Sequence, residues 1–334
     1  MVGKMGLVES PSTFTPGIDS QADAFERDLR PKDFSDFLGQ EALLEPLRLM
    51  IQAARQRNEP LEHLLFTGLP GLGKTSLALA LATEIKVPLK LTSGPALERA
   101  KDLVGILSQL EPNTLLFIDE IHRIPKNVEE YLYGAMERFQ LEFTLDQGVH
   151  ARLLKLDIQP FTLVGATTRE ALLSGAFRSR FGHTARFEPY HQDALTLILQ
   201  RNATLLKLPF EQNTLQQLAS RSRGVPRIAN RLLRRARDVA QCETQGILDD
   251  KTLQRTFSLL GIDEHGMERS DRRLLAALAH ADGRPLGLKA LAVAVEEAED
   301  TIEDVIEPWL IRQGFMTRTP QGRVLTETGC ALLA

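Results

Sequence analysis

The sequence predicts an α/β fold, in which a parallel sheet covered by helices is followed by a small all-helical domain and a C-terminal winged helix. Short apolar runs alternate with helical patterns from about residue 25 to 187, which is typical of a parallel sheet with crossover helices. The first run leads directly into a glycine-rich loop and a helix. After residue 190 the apolar residues recur at spacings of three and four, which indicates helices without strands.

Four apolar runs are the predicted strands of the sheet, because each has the length of a buried strand and is bounded by polar or turn residues. They are His63–Thr67, Pro88–Thr92, Thr114–Ile118 and Phe161–Ala166. Residues 141–156 break this rhythm, since two strand-like segments flank Asp146-Gln-Gly-Val-His150. The pattern predicts a β-hairpin that projects from the domain.

The C-terminal part has three further helical segments, followed by two short strand-like stretches around Pro320-Gln-Gly322. Helices followed by such a hairpin predict a winged helix-turn-helix module. We therefore expect four parts along the chain, and the first is a flexible tail because it is rich in Ser, Thr, Pro and Gly. The parts are a tail at 1–24, a large α/β domain at 25–187, a helical domain at 188–262 and a winged-helix domain at 263–334.

The loop after the first strand, Gly68 to Thr75, matches the phosphate-binding pattern G-x-x-x-x-G-K-[S/T]. Its glycines let successive backbone N–H groups curl around a phosphate, and the helix that follows points its positive end at the same anion. Lys74 is predicted to reach the β- and γ-phosphates of ATP, and the Thr75 hydroxyl is predicted to ligate Mg²⁺. A chance turn would lack the buried strand before the loop and the helix Ser76–Ile85 after it.

A second signal is an apolar strand that ends in two carboxylates, Asp119 and Glu120. They fall at the carboxyl edge of the sheet, where ligands of open α/β sheets bind. Asp119 is predicted to hold Mg²⁺ through water, and Glu120 is predicted to act as the general base for cleavage of the γ-phosphate. The strand Phe161–Ala166 runs on to Thr168, a candidate to polarise the attacking water, although threonine is common in strands.

Two arginines are candidates for contacts with the γ-phosphate. Arg180 follows Thr168 closely, and an arginine supplied to a neighbouring subunit stabilises the charge of the transition state. From spacing alone, a surface arginine without a role is an equal alternative for Arg180. Arg227 opens a helix of the all-helical domain, from which it could contact the γ-phosphate of its own subunit.

The composition excludes several classes of protein. The net charge of −4 excludes a protein that is basic throughout, so contacts with nucleic acid require a local patch. Residues 312–323 hold Arg312, Arg318 and Arg323 without an acidic residue, which predicts a positive edge on the wing. Two distant thiols, Cys242 and Cys330, favour a reducing cytoplasmic location and argue against disulfides or a zinc site.

In their order, these motifs resemble those of the AAA+ ATPases, and longer blocks resemble the RuvB family of bacterial Holliday-junction branch-migration motors. The resemblance runs from about residue 25 to 326. The blocks include Leu29-Arg-Pro31, Phe37-Leu-Gly-Gln40, Phe117-Ile-Asp-Glu-Ile-His-Arg123, Val128-Glu-Glu-Tyr-Leu-Tyr133, Gly165-Ala-Thr-Thr-Arg169, Pro226-Arg-Ile-Ala-Asn-Arg-Leu-Leu-Arg-Arg235 and Asp300-Thr-Ile-Glu-Asp304.

The resemblance implies a homohexameric ring that hydrolyses ATP with Mg²⁺ and translocates double-stranded DNA during recombination and repair. It also implies that RuvA docks on the hairpin at 141–156 and that RuvC joins a resolving complex. Arg180 matches the arginine finger, while Arg318 and Arg323 match residues on the DNA backbone. Carried over in the same way, the nucleotide-binding residues are Leu29, Arg30, Gly71, Gly73, Lys74, Thr75, Ser76, Glu137, Phe139, Tyr190 and Arg227.

Three departures from the family pattern leave alternatives open. Leu69 stands where the family usually has proline, the hairpin tip reads Asp146-Gln-Gly-Val-His150 in place of the family's Gly-x-Gly-Pro, and Glu299 stands where the family often has arginine. The altered tip is compatible with a divergent member that has lost RuvA as its partner. An ATP-gated assembly factor of clamp-loader or initiator type is the alternative to a processive motor.

Overall fold

The structure is a computed structural model, and it describes residues 21–145 and 152–333. The predicted hairpin tip and all but the last four residues of the predicted tail lie outside these ranges. Those four residues belong to a helix, Gln21–Asp28, which begins inside the segment expected to be a tail. Within the described ranges, no helix is both long and apolar enough to cross a bilayer.

A five-stranded parallel sheet is the centre of the first domain, with the strand order β2-β3-β6-β1-β7. Two antiparallel hairpins, β4-β5 and β8-β9, stand apart from it. The strands are β1 (Leu64–Thr67), β2 (Leu89–Ser93), β3 (Thr114–Asp119), β4 (Gln140–Leu145), β5 (Arg152–Asp157), β6 (Phe161–Thr167), β7 (His183–Arg186), β8 (Met316–Thr319) and β9 (Gly322–Leu325).

Helices cover the sheet, form the helical domain and, together with β8 and β9, form the winged helix. A π-helical turn, Ile302–Ile306, joins α13 to α14, next to Pro308, which has no N–H for an α-helical bond. The helices are α1 (Gln21–Asp28), α2 (Glu41–Arg57), α3 (Lys74–Ile85), α4 (Ala100–Leu107), α5 (Lys126–Arg138), α6 (Gly175–Arg178), α7 (Gln192–Leu205), α8 (Gln212–Ser220), α9 (Pro226–Glu243), α10 (Asp250–Leu260), α11 (Arg269–His280), α12 (Leu288–Val295), α13 (Glu299–Thr301), α14 (Glu307–Arg312) and α15 (Glu327–Leu333).

Three apolar cores hold these layers together. One lies under α2 and α3 on one face of the sheet and continues into the helical domain, where Leu195 and Leu232 are fully buried. The second lies on the opposite face, under α4, α5 and α6. The third is separate and belongs to the winged helix, around Leu274 and Trp309. The shared first core fixes the position of the helical domain beside the carboxyl edge of the sheet.

The strand β7 had no counterpart among the predicted strands. Its four residues, His-Thr-Ala-Arg, contain a single buried side chain, Ala185, so they lack the apolar run that marks a buried strand. The strand forms because its backbone pairs in parallel with β1 at the edge of the sheet. Pairing along an edge depends on distant residues, which local periodicity does not report.

The winged helix is attached to the rest of the chain at two joints. At the first, Arg223 of the helical domain forms a buried ion pair with Asp271 at 2.5 Å, and its guanidinium lies over the Trp309 ring. The backbone carbonyl of Arg223 also accepts a hydrogen bond from the Arg312 side chain. At the second, the partly exposed Arg169 of the sheet domain contacts Asp304 at 2.9 Å and Asp300 at 2.7 Å.

Candidate active site

The phosphate loop runs from β1 to α3 along the carboxyl edge of the sheet. Gly71 lies in the left-handed region with φ of 81°, and a Cβ placed on it would lie 2.9 Å from side-chain atoms of Val225 and Arg227. Any larger residue at this position would be strained and would push the helical domain away. The loop and the helical domain are therefore in direct contact, and the Arg227 backbone N–H donates to the Gly71 carbonyl at 3.3 Å.

Lys74 begins α3 and is buried. Its Nζ donates to the carbonyls of Gly68 and Leu69 at 2.8 and 2.9 Å, which curls the loop around the ammonium group. Burial lowers the pKa of Lys74 to about 8, while the nearby Asp119 carboxylate acts in the opposite direction. A cation that is held inside the loop and has lost most of its water is suited to bind phosphate oxygens.

This pKa gives a prediction for the pH dependence of nucleotide binding. A phosphate beside Lys74 favours the charged form, so binding takes up a proton wherever the free lysine is neutral, which is above pH 8. We expect the dissociation constant for ATP to be nearly flat near pH 7 and to rise by up to about tenfold per pH unit above pH 8. Isothermal titration between pH 7 and 9.5 measures this, with Lys74→Ala as a control that should lack the rise. A flat profile in the unchanged protein would contradict the role of Lys74.

Two carboxylates lie at the end of β3, at the same edge: Asp119 is the last residue of the strand and Glu120 follows it. Burial raises the pKa of Asp119, whose Oδ1 accepts the Glu120 backbone N–H at 3.0 Å. Glu120 has a left-handed backbone with φ of 47°, which costs on the order of 1 kcal/mol and turns its side chain away from the strand direction. The absence of a side chain on Gly94 allows the chain to pass close to the Glu120 carbonyl. Glu120 pairs with Arg123 at 3.0 Å, and both side chains are about half exposed.

The end of β6 lies between the other two elements, because β6 pairs with both β1 and β3. Thr167 is buried, and its hydroxyl contacts His122 Nδ1 at 2.9 Å and accepts the Arg169 backbone N–H at 2.9 Å. This bonding fixes the backbone on both sides of Thr168, which lines the cavity in front of the phosphate loop.

The helical domain closes the other side of the cavity. The Tyr190 hydroxyl donates to the Leu72 carbonyl at 3.3 Å, and burial raises its pKa. The Arg227 side chain is well exposed at the start of α9. The structure thus brings twelve of the predicted site residues to one cavity. They are Leu29, Arg30, Gly71, Gly73, Lys74, Thr75, Ser76, Asp119, Glu120, Thr168, Tyr190 and Arg227.

Several residues of the cavity were not predicted from the sequence. Arg201 of α7 donates to the Leu29 carbonyl at 2.9 Å and pairs with Asp36 at 3.2 Å, so it holds the segment that carries Leu29 and Arg30 against the helical domain. Asn202 and Asn230 also line the cavity and bond to each other at 2.7 Å. A single arginine or asparagine in an amphipathic helix gives no sequence signal of this role.

Residues 29–187 match the Holliday junction DNA helicase RuvB P-loop domain, residues 190–263 match the RuvB AAA lid domain, and residues 264–334 match the RuvB C-terminal winged helix domain. The chain is 46% identical over 314 residues to the Holliday junction branch migration complex subunit RuvB of Flavobacterium johnsoniae, a match that covers 94% of this chain and 92% of that protein. The chain belongs to the RuvB family.

The solved structures agree with this assignment. The RuvB Holliday junction branch migration motor of Thermotoga maritima is 42% identical and superposes with a TM-score of 0.84, covering 92% of this chain and 98% of that one. The structure of a point variant of the same Thermotoga protein superposes equally well, covering 91% of this chain. The RuvB family assignment confirms the predicted fold, a P-loop ATPase domain with a parallel sheet, a helical lid and a winged helix.

Three of the predicted nucleotide-site residues lie elsewhere in this RuvB-family chain. Arg180 follows α6, and its guanidinium lies 4.0 Å over the Tyr133 ring, with Nε 3.1 Å from a carboxylate oxygen of Glu137. Phe139 follows α5 and packs edge-on against Phe161. None of the three lines the cavity that holds Lys74. Arg180 and Glu137 instead lie together, away from that cavity.

The wing places its arginines against carboxylates. Arg318 contacts Glu307 and Glu303 at 2.7 Å, and Arg323 contacts the same two residues at 2.5 and 3.3 Å. The Glu307 side chain is 1% exposed and that of Arg323 is 12% exposed, whereas Arg318 is 49% exposed. The sequence predicted a positive edge on the wing, but the structure pairs Arg318 and Arg323 with carboxylates. These carboxylates belong to the preceding helical segment, and the fold brings them next to the wing.

Proposed function

We propose that this RuvB-family protein is an ATP-driven motor that translocates duplex DNA and thereby drives branch migration of Holliday junctions. The observation that carries the proposal is the convergence of the phosphate loop, Asp119 and Glu120, Thr168 and the lid residue Arg227 on one cavity, in a chain that also carries a winged helix. Residues of the sheet domain and of the helical domain both line the cavity, so a nucleotide bound there contacts both domains.

Each residue of the cavity has a role that its position supports. Lys74 and the backbone of the phosphate loop bind the β- and γ-phosphates. The Leu29–Arg30 segment lines the same cavity and would contact the adenine. Glu120 takes a proton from the attacking water, which Thr168 orients. The exposed ion pair with Arg123 is worth little, so Glu120 can leave it at small cost.

Mg²⁺ fits the donor set of this cavity. Thr75 and Asp119 both line it, and a hydroxyl with a carboxylate beside phosphate oxygens is the oxygen-rich set that Mg²⁺ prefers. Burial raises the pKa of Asp119, and the Lys74 ammonium group opposes that rise. Thr75 and Asp119 would hold the ion, which supplies positive charge against the phosphates when bound.

The function can be tested on a synthetic four-way junction with the purified protein and RuvA. A motor should convert the junction into duplex products in proportion to ATP consumed, through many turnovers. An ATP-gated assembly factor, the alternative class, would hydrolyse about one ATP per subunit for each loading event and leave the junction intact. Sustained ATP turnover stimulated by DNA without conversion of the junction would count against the proposal.

We also propose a homohexameric ring, with RuvA docked on the hairpin β4-β5 and RuvC in the resolving complex. The RuvA contact is supported by the hairpin, whose two strands pair with each other and, among the described residues, with no other strand, while Leu156 on it is 41% exposed. A two-stranded projection with an exposed leucine cannot bury that surface alone.

Leu156→Asp is expected to abolish the stimulation of junction migration by RuvA, because a carboxylate in an apolar contact loses its water without gaining a partner. A pull-down with RuvA measures the contact directly. Leu172→Asp is a matched control, since Leu172 is 61% exposed on the sheet domain but outside the hairpin. Undiminished capture of RuvA by the Leu156 variant would place the docking surface elsewhere.

DNA contact is proposed for Arg318, whose side chain is half exposed. Arg318→Gln should weaken binding to duplexes of any sequence and reduce the dependence of log K on log salt by about one unit, because one phosphate contact is lost. The measurement is a salt titration of fluorescent duplex, with Arg273→Gln as a matched control that also removes an exposed, ion-paired arginine. An unchanged salt dependence would contradict a contact between Arg318 and a DNA phosphate.

Arg323 is also proposed as a DNA contact, but its substitution does not test that role. Its guanidinium pairs with Glu307, which is almost fully buried. Removing it would leave this buried carboxylate with only the half-exposed Arg318 to pair with among the described residues, and losing a partner of a buried charge destabilises a protein. A loss of DNA binding in such a variant would therefore report loss of the folded winged helix.

A further inference from the structure

We propose that Tyr133 is the positioning residue for Arg180, and that its ring is the surface on which the guanidinium is pre-oriented toward the nucleotide of the neighbouring subunit. The inference rests on the proposed function, in which Arg180 acts in a ring. It concerns a residue that does not line the cavity around Lys74.

The contact between the two side chains has the geometry of a cation–π interaction. The guanidinium carbon of Arg180 lies 4.0 Å from the centre of the Tyr133 ring. An arginine over an aromatic face within about 6 Å is held by the ring quadrupole, and it keeps its N–H groups available at the edge of the guanidinium plane. A flexible side chain of this length would otherwise sample many rotamers before it met a phosphate.

The other contacts of Arg180 do not saturate its hydrogen-bonding capacity. Its Nη1 donates to the Ala176 carbonyl, one turn earlier. Its Nε lies 3.1 Å from Glu137 but is not aligned for a hydrogen bond, and it is a buried donor without a bonded partner among the described residues. The carboxylate thus attracts the guanidinium without fixing it, so a phosphate that offers aligned acceptors can compete.

Tyr133 is itself fixed at both ends. Its hydroxyl donates to Glu129, which is buried, and lies 3.2 Å from the Ser174 hydroxyl. Ser174 donates to Glu129 at 2.8 Å and caps the N-terminus of α6 through the Phe177 backbone N–H at 3.1 Å. The Tyr133 ring also packs against Phe177, with centroids 5.8 Å apart.

These hydrogen bonds and ring contacts connect Tyr133 to the helix that leads into Arg180. Ser174 and Phe177 belong to the short helix that leads into Arg180, while Tyr133 and Glu137 lie one turn apart on α5. The two elements therefore fix both the backbone of Arg180 and the surface under its side chain. Such a double constraint is what places a charged group at a set position for transition-state stabilisation.

The experiment compares Tyr133→Leu, which removes the ring, with Tyr133→Phe, which keeps it. We expect the leucine variant to lower kcat for ATP on the order of tenfold to a hundredfold, since misplacement of a catalytic group by about 1 Å has effects of this size. KM for ATP should stay unchanged, because Tyr133 does not line the cavity. The phenylalanine variant should stay within about threefold of the unchanged protein, since the quadrupole remains.

Mixing of subunits separates positioning from a general structural role. Tyr133→Leu protein mixed with Lys74→Ala protein should regain activity, because some interfaces then pair an intact Tyr133 and Arg180 with an intact Lys74. Tyr133→Leu mixed with Arg180→Ala should not regain it, since both changes damage the same half of the site. If Tyr133→Leu does not fold, Tyr133→Met, which keeps apolar volume without a ring, takes its place.

The possible outcomes separate this inference from the proposed function. A normal kcat in Tyr133→Leu, together with an inactive Arg180→Ala, would overturn the positioning role of Tyr133. The proposed catalytic role of Arg180 would be unaffected. Failure of Tyr133→Leu to complement Lys74→Ala, under conditions in which Arg180→Ala does so, would also overturn it. A normal rate in Arg180→Ala would overturn both proposals.

Discussion

Glu120→Gln is expected to bind ATP and Mg²⁺ but to hydrolyse ATP at least about 100-fold more slowly, the usual scale for loss of general-base help. The amide keeps the size of the side chain and the left-handed backbone at φ of 47°, so only the ability to take a proton is removed. Steady-state phosphate release measures the loss, and binding of a fluorescent ATP analogue shows whether the site is intact.

Glu98→Gln is a suitable control for this experiment, because Glu98 is an exposed carboxylate of the same domain that does not line the cavity. It should keep the rate of the unchanged protein. Near-normal turnover in the Glu120 variant would mean that another group activates the water. In that case Asp119 is the next candidate, and its role in holding Mg²⁺ would have to be reconsidered.

Arg180→Ala is expected to bind ATP and to assemble, but to hydrolyse almost nothing until it is mixed with Lys74→Ala protein. Removal of an arginine that stabilises transition-state charge on a phosphoryl group costs about 10³- to 10⁵-fold in rate. Arg180 lies outside the cavity of its own subunit, so its target would belong to a neighbour. In mixed rings some interfaces have Lys74 on one side and Arg180 on the other, and partial activity should return.

The assay is ATPase rate against mixing ratio, with subunit exchange confirmed by energy transfer between labelled proteins. Each variant alone provides the baseline for the mixtures. If mixed rings form and remain inactive, Arg180 acts within its own subunit or hydrolysis requires every interface to be intact. A normal rate in Arg180→Ala alone would remove this arginine from catalysis.

The sequence predicts the parts of the site that are short motifs with a fixed local geometry. The phosphate loop at Lys74, the carboxylates after β3 and Thr168 after β6 could be placed because parallel strands bring their carboxyl ends to one edge. Tyr190 came from the family resemblance alone. Arg227 was a candidate because it opens a helix, but nothing in a helical domain indicates by itself that it closes over a loop of another domain.

What could not be predicted depends on contacts between distant elements. Arg201 supports Leu29 through a backbone bond across 172 positions of the chain, and no local pattern reports such a bond. The charge of the wing was misjudged for the same reason, because Glu303 and Glu307 neutralise Arg318 and Arg323 from another element. The support of Arg180 by Tyr133 likewise requires α5 and α6 to be seen side by side.

The two joints of the winged helix differ in strength, and this decides which domain it follows. Arg223 and Asp271 are 6% and 1% exposed, and separating a buried pair leaves charges without water, at high cost. Arg169 and Asp304 are 26% and 28% exposed and Asp300 is 82% exposed, so water can replace each partner at small cost. If the angle between the sheet domain and the helical domain changes, the ion pairs of Arg169 should break first, and the winged helix should move as one rigid body with the helical domain. A small rotation of the helical domain would then produce a larger displacement at the distant hairpin β8-β9.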